Sequence, residues 1–217
     1  MSDAGTPDRR QRLSLRTSRM EALSDGIFAF ASTLLVLDLA IPAVKSHVAQ
    51  RLIEQWPIYL AYVVSFATIG QAWLGHSVIT EYLDRADSLL YRLNLVLLFF
   101  VSLLPFPTHM LAAYFSSTTA ERIAVTVYGL NLLAISGFTS LLWHYAVAEH
   151  LVRQDKSDAD LRALTSKLDP SLIFYVVVLG IGLVEPKVAV VLYLLIALFV
   201  IIPFRTVVRV VRRARSS

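Results

Sequence analysis

The sequence predicts an all-α, polytopic membrane protein: one six-helix domain over residues 1–217. Three observations predict it. Hydrophobic residues make up 56% of the chain, against about 45–50% in soluble domains. They fall in long runs near the about 20 residues that a helix needs to cross a bilayer. Lys and Arg, finally, are divided unevenly among the segments between those runs, the pattern that sets membrane topology.

The first predicted helix covers residues 19–43. Ser18-Arg19-Met20-Glu21 reads as a capping box, with Ser18 as N-cap and Glu21 three residues on. The apolar run continues to Ile41, and Pro42 ends it. Met1–Ser18 is polar and Arg-rich. The run after it is too long for a signal-peptide core and has no clear small-x-small cleavage site, so a retained helix is expected. The second helix covers 56–79, with Trp56 and Tyr59 as interface anchors. The third covers 89–111, and Pro105 and Pro107 should kink or break it near its far end. Thr118-Thr119-Ala120-Glu121 is a second capping box, opening a fourth helix over 119–148. The polar stretch Glu149–Asp169 carries Leu161, Leu164 and Leu168 at helical spacing, which predicts a helical extension or a short surface helix. Asp169-Pro170 reads as an N-cap followed by proline in the first turn. It would open a fifth helix over 171–184, a run short enough to be re-entrant instead of spanning. Glu185-Pro186-Lys187 forms a turn, and the sixth helix covers 188–204.

Charge decides between five and six crossings. Six crossings with both termini cytoplasmic place Lys45, Arg51, Arg122 and Lys187 outside and the remaining sixteen of the 20 basic residues inside. Five crossings would put the C-terminal arginine cluster outside, against the positive-inside bias. The expected location is the cell membrane. No internal repeat is visible.

Composition excludes several function classes. The net charge of +4 gathers at the termini. It points to topology and anionic lipid and not to nucleic acid, because no aromatic residues interleave with the basic ones. Cysteine is absent, which removes disulfides and thiolate metal sites. There is no GxSxG, Walker or dinucleotide glycine sequence, no acid pair of fixed spacing and no HExxH, so neither an enzyme, a cofactor nor a metal site is expected.

Polar side chains inside membrane helices are expensive and are functional candidates by default. The candidates are Ser24, Asp25, Ser32, Thr33 and Asp38 in the first helix, Gln71 and His76 in the second, Arg92 and Asn94 in the third, and Asn131 and His144 in the fourth. At about 100° per residue, Phe30, Thr33, Leu34, Leu37 and Ile41 share one stripe of the first helix. Asp25 and Ser32 lie roughly opposite, on a small and polar side suited to packing against other helices of the same subunit. The stripe would face lipid, another subunit or a narrow pore. Asp25 could carry a proton or ion, or act as a hydrogen-bond hub. His76 could titrate, bind a metal, or pair with that hub. Asp38 could be a headgroup-level residue or one of a ring of carboxylates at a pore mouth. A proton-coupled transporter using Asp25 and His76 is the alternative to a channel. Carriers commonly show related halves and broken helices, and neither is visible.

Arg19-Met20-Glu21-Ala22-Leu23-Ser24-Asp25 resembles the RxxxFSD signature that opens the first helix of the TMEM175-like potassium channels, and the run on to Asp38 is similar as well. Trp73-Leu74-Gly75-His76 resembles the family's Trp-x-x-His, and Arg92–Leu95 through Phe106 its third helix. The resemblance implies a homotetramer of six-helix subunits around a central pore that passes K⁺ and other monovalent cations. The first helix would line that pore, with a hydrophobic constriction in place of a TVGYG-type filter. It assigns the constriction to Phe30, Leu34 and Leu37, with Thr33 adding a hydroxyl, and the hydrogen-bond network that holds the helix to Arg19, Ser24, Asp25, Trp73 and His76. Asn94 joins that network on its polarity and position. Two positions depart from the pattern. Leu23 stands where the signature has phenylalanine, and Phe30 replaces an aliphatic residue at the first constriction. Four such phenylalanines either close the neck more tightly or turn aside and leave the gate to Leu34.

Overall fold

The computed structural model describes residues 17–39, 48–115 and 118–201. They form a helical bundle: α1 (Thr17–Leu35), α2 (Val48–Glu54), α3 (Trp56–Tyr82), α4 (Ser88–Leu103), α5 (Pro105–Tyr114), α6 (Thr118–Ala148), α7 (Asp158–Gly182) and α8 (Pro186–Ile201). Four stretches are long and apolar enough to cross a membrane: Trp56–Tyr82, Ser88–Tyr114 (α4 and α5 together), Thr119–Ala148 and Asp158–Gly182. The outer surface agrees. Ile173, Phe174, Val176, Val191, Leu195, Phe99 and Phe106 are all more than half exposed, an apolar coat that water would not tolerate on a soluble monomer. The chain is a multi-pass membrane protein.

Several boundaries differ from those the sequence predicts, each for a physical reason. The first helix already includes Thr17, so Ser18 lies in its first turn and is not its N-cap. It stops well before Pro42, tightening after Leu35 into a 3-10 turn over Val36–Asp38 that Leu39 N–H closes onto the Val36 carbonyl. Such a turn satisfies end carbonyls without a proline. Residues 40–47, with Ile41 and Pro42, lie outside the described residues. The short α2 falls where no helix is predicted.

The predicted third helix is divided as its prolines demand. Asp87 caps α4 by accepting from Leu90 N–H. Pro105 has no N–H to give the Val101 carbonyl, and Leu104 N–H takes that acceptor at 3.2 Å. Helix α5 then begins at Pro105.

The largest correction concerns the fifth predicted helix. Asp169-Pro170 is not a helix start. The N-cap is Ser157, which accepts from Asp160 N–H while the Asp160 side chain accepts from Ser157 N–H, a complete capping box. Pro170 sits inside a continuous 25-residue helix, as prolines can in membrane helices, where neighbouring groups re-satisfy the freed carbonyls. The polar stretch is therefore a helical extension, and the segment is long enough to span.

In the bundle, α3 packs against α8, α5 and α1, while α6 packs against α7, α4 and α5. At one end the α3–α4 and α6–α7 loops are tied together: Asp84 N–H donates to the Leu151 carbonyl and Arg153 N–H to the Tyr82 carbonyl, both at 2.9 Å. Helix α1 lies at the edge, resting mainly on α3 and α4. That placement leaves one side of it without a partner among the described residues.

Candidate functional site

Helix α1 buries Met20, Ser24, Phe28, Ala31 and Leu35. Spacings of three and four residues align them on one side, and that side is neither the apolar stripe nor the Asp25 side read from the sequence. The signal was present as spacing but masked, because a helix apolar almost all round gives periodicity little contrast.

Ser24, His76 and Asn94 meet on this buried side, at 0%, 1% and 1% exposure. His76 Nε2 lies 2.8 Å from Asn94 Oδ1. Asn94 Nδ2 donates to Ser24 Oγ at 3.0 Å, and Ser24 Oγ donates to the Met20 carbonyl at 2.8 Å. With the His76 proton on Nε2, the His76, Asn94 and Ser24 side chains each donate to an acceptor. The Phe28 ring packs on the imidazole at 5.6 Å between centroids. Three helices, α1, α3 and α4, are thus joined by a buried polar pin. In an apolar interior such a pin holds its geometry because each unpaired member would cost desolvation free energy.

A second clasp stands apart from it. Trp73 Nε1 donates to Asp25 Oδ1 at 2.8 Å, and both residues are exposed on the subunit. Asp25 does face α3, but from the edge of the contact. Asp25 and His76 share no hydrogen bond; Trp73 and Asn94 are their respective partners. Arg19 is exposed and joins neither group among the described residues. The six residues expected as one network are therefore a buried triad, an exposed pair and one outlier.

The remaining side of α1 carries the stripe. Phe30 is 61% and Leu37 73% exposed. Thr33 is also exposed, its hydroxyl donating to the Phe30 carbonyl at 2.8 Å, and Leu34 is half-buried. The side chain of Asp38 lies outside what the structure describes.

Sequence reasoning missed the role of Met20 and Phe28, and it missed most of a second set of polar contacts. Ser65 lies 2.7 Å from Thr108 and donates to Tyr128 at 3.1 Å. Tyr175 donates to Gln71 at 3.3 Å, and Ser136 meets Ser171 at 3.1 Å. Asn131 donates to the Phe100 carbonyl, and His144 lies 3.7 Å from Asp169. Of these, only Gln71, Asn131 and His144 stand out in the sequence; serines, threonines and tyrosines are too common in membrane helices to mark a partner.

Comparison with known proteins bears on both sides of α1. The chain is 36% identical over 186 residues to a protein of Streptomyces collinus described as a potassium channel, covering 84% of this chain and 90% of that one. The model of the family described as the endosomal/lysosomal potassium channel TMEM175 matches residues 19–105. The chain belongs to the TMEM175 family. A potassium channel of Chamaesiphon minutus is 38% identical over 156 residues, covering 70% and 76% of the two chains. The solved structure of a lysosomal potassium-selective channel TMEM175 homologue from Chamaesiphon minutus superposes with a TM-score of 0.77 at 32% identity, covering 85% of this chain and 95% of that one. The TMEM175 match over 19–105 takes in every member of the pin, the Asp25–Trp73 clasp and the whole stripe.

Proposed function

We propose that the protein is a potassium-permeable cation channel of the cell membrane, a homotetramer of six-helix subunits with both termini cytoplasmic. In this reading α1 and α8 supply the two crossings beyond the four that length and composition identify, and α1 lines a central pore. Phe30, Leu34 and Leu37 form the constriction, Thr33 adds a hydroxyl beside it, and Asp38 rings the outer mouth. K⁺ is the permeant ion and no cofactor takes part.

One observation carries the assignment: among the described residues little covers the stripe of α1, with Phe30 61% and Leu37 73% exposed and Leu34 half-buried. The buried pin fixes the rotation of α1, and that rotation aims the stripe away from the subunit core. Four copies around an axis would bring the stripes together into an apolar neck, which can gate by expelling water until it widens. The relatives described as potassium channels supply the ion.

The transporter reading draws less support. It needs Asp25 and His76 to act together, and they are bonded to different partners.

Protein reconstituted in vesicles should pass K⁺ in a flux assay, and Phe30→Ala and Leu34→Ala should each change the rate severalfold. Flux that ignores both substitutions would remove the pore from α1.

A further inference from the structure

We propose that the cavity between α3, α6 and α7 binds an uncharged, bilayer-soluble amphipath with a hydroxyl head. This cavity has a volume of about 280 Å³, near the lower end of small-molecule sites. It lies within one subunit, away from α1, and the proposal does not depend on ion passage.

The polar wall has a definite hydrogen-bonding character. Gln71 Oε1 accepts from Tyr175, but the Gln71 amide nitrogen makes no hydrogen bond among the described residues, leaving its N–H groups to give. Thr68 and Thr139 spend their protons on the Val64 and Ile135 carbonyls, both at 2.8 Å. Ser171 spends its proton on the Leu168 carbonyl at 2.6 Å, so the proton between Ser136 and Ser171 comes from Ser136. What remains along the wall is an amide donor and several hydroxyl oxygens able to accept. An alcohol, which donates one proton and accepts others, is the complement of that set.

Charge argues the same way. Among the described residues no Asp, Glu, His, Lys or Arg lines the cavity. A carboxylate would meet mostly acceptors, and an ammonium would find no counter-charge in a low-dielectric wall. The rest of the lining is apolar, including Leu132, Ile135, Leu164 and Leu168, and suits an alkyl chain. Leu74 and Val78 also line the cavity and are 39% and 38% exposed, so it opens on the outside of the subunit. At Gly75 an added Cβ would meet nothing within 4 Å. An accidental packing void in an apolar core would not be edged with seven hydroxyl- or amide-bearing side chains, several with free groups that match one ligand type.

The test is photolabelling of the full chain in phosphatidylcholine vesicles with a diazirine-bearing eight-carbon primary alcohol, mapped by mass spectrometry. Labelling should saturate, fall on residues of α3, α6 and α7 that line the cavity, and be displaced by 1-octanol and monooctanoylglycerol. Octanoate and n-octane at matched membrane concentration should displace it poorly. Gly75→Leu, which fills the space, should abolish saturable labelling, and Gln71→Met, which removes the amide, should weaken it about five- to tenfold. Both variants are compared with the parent for monodispersity and helix content. Labelling that never saturates, or that spreads over all lipid-facing helices, would overturn the site. Equal displacement by n-octane would overturn recognition of the hydroxyl. Unchanged saturable labelling in a well-folded Gly75→Leu protein would overturn the location.

Discussion

The two sides of α1 are equally apolar to the eye and opposite in what they do. The buried side places Phe28 at 2% exposure against His76, while two residues on Phe30 stands 61% exposed. On the first side every polar group has a partner within the subunit: Ser24, Asn94 and His76 form a closed chain. On the second no side chain makes a hydrogen bond outside α1 among the described residues, and the Thr33 hydroxyl is turned back on its own helix. The buried side determines where the helix stands, and the open side has little cover among the described residues. A helix with a specialised outward side needs an inward side that admits one rotation only, because a slip of one residue turns it by about 100° and would carry Phe30 out of register.

The sharpest way to break this comparison is to truncate one phenylalanine on each side. Phe28→Ala removes a ring from a packed site and should cost about 3 kcal/mol, read as a clear drop in the thermal unfolding midpoint of the purified protein. Phe30→Ala should leave that midpoint nearly unchanged and act on K⁺ flux instead. Equal destabilisation by both would mean that the two sides are not distinct.

Next in size is Asn94→Leu. It orphans the His76 proton and leaves Ser24 without its donor, and it should cost about 2 kcal/mol. Asn94→Gln or Asn94→Ser should recover part of this if a polar group there is what matters. A Leu variant as stable as the parent would mean that packing alone holds α1.

A smaller effect is expected at the exposed clasp. Trp73→Phe keeps the ring but loses the donor to Asp25, and at an exposed position this should cost less than about 1 kcal/mol. A loss as large as that of Asn94→Leu would show that the clasp is covered in the assembled protein. The smallest expected change is that of Pro105→Ala, which returns an N–H to the Val101 carbonyl. It should change the stability by about 0.5 kcal/mol or less, and a larger gain would mean that the break between α4 and α5 stores strain.

Much of the fold was legible because a bilayer imposes length and apolarity on each crossing, and Pro105 marks a break within one of them. The break at Pro105 and the helical leucines at Leu161, Leu164 and Leu168 were read correctly. The Asp169-Pro170 start was misread because proline is a strong stop signal in water and a weaker one inside a bundle, whereas the true cap at Ser157 looked like ordinary loop. In the site, the motif residues were found but their grouping was not. Arg19, Ser24, Asp25, Trp73, His76 and Asn94 are all polar or amphipathic, and the sequence carries no sign that two hydrogen-bonded groups exist.

By itself the sequence determined that the chain is helical, that it lies in a membrane, which family its first three hydrophobic segments resemble, and which residues of α1 share the stripe of Phe30, Leu34 and Leu37. The family resemblance rests on short motifs, the rest on composition and the 3.6-residue period, and all of these are local. Only the tertiary structure decided which side of α1 is buried, that Asn94 joins Ser24 to His76, and that Asp25 stands at the edge with Trp73. The buried triad spans up to 70 residues of sequence. A polar side chain in a membrane helix announces that it needs a partner, but the partner is chosen by how the helices are rotated against each other, and that rotation is the joint result of all their contacts.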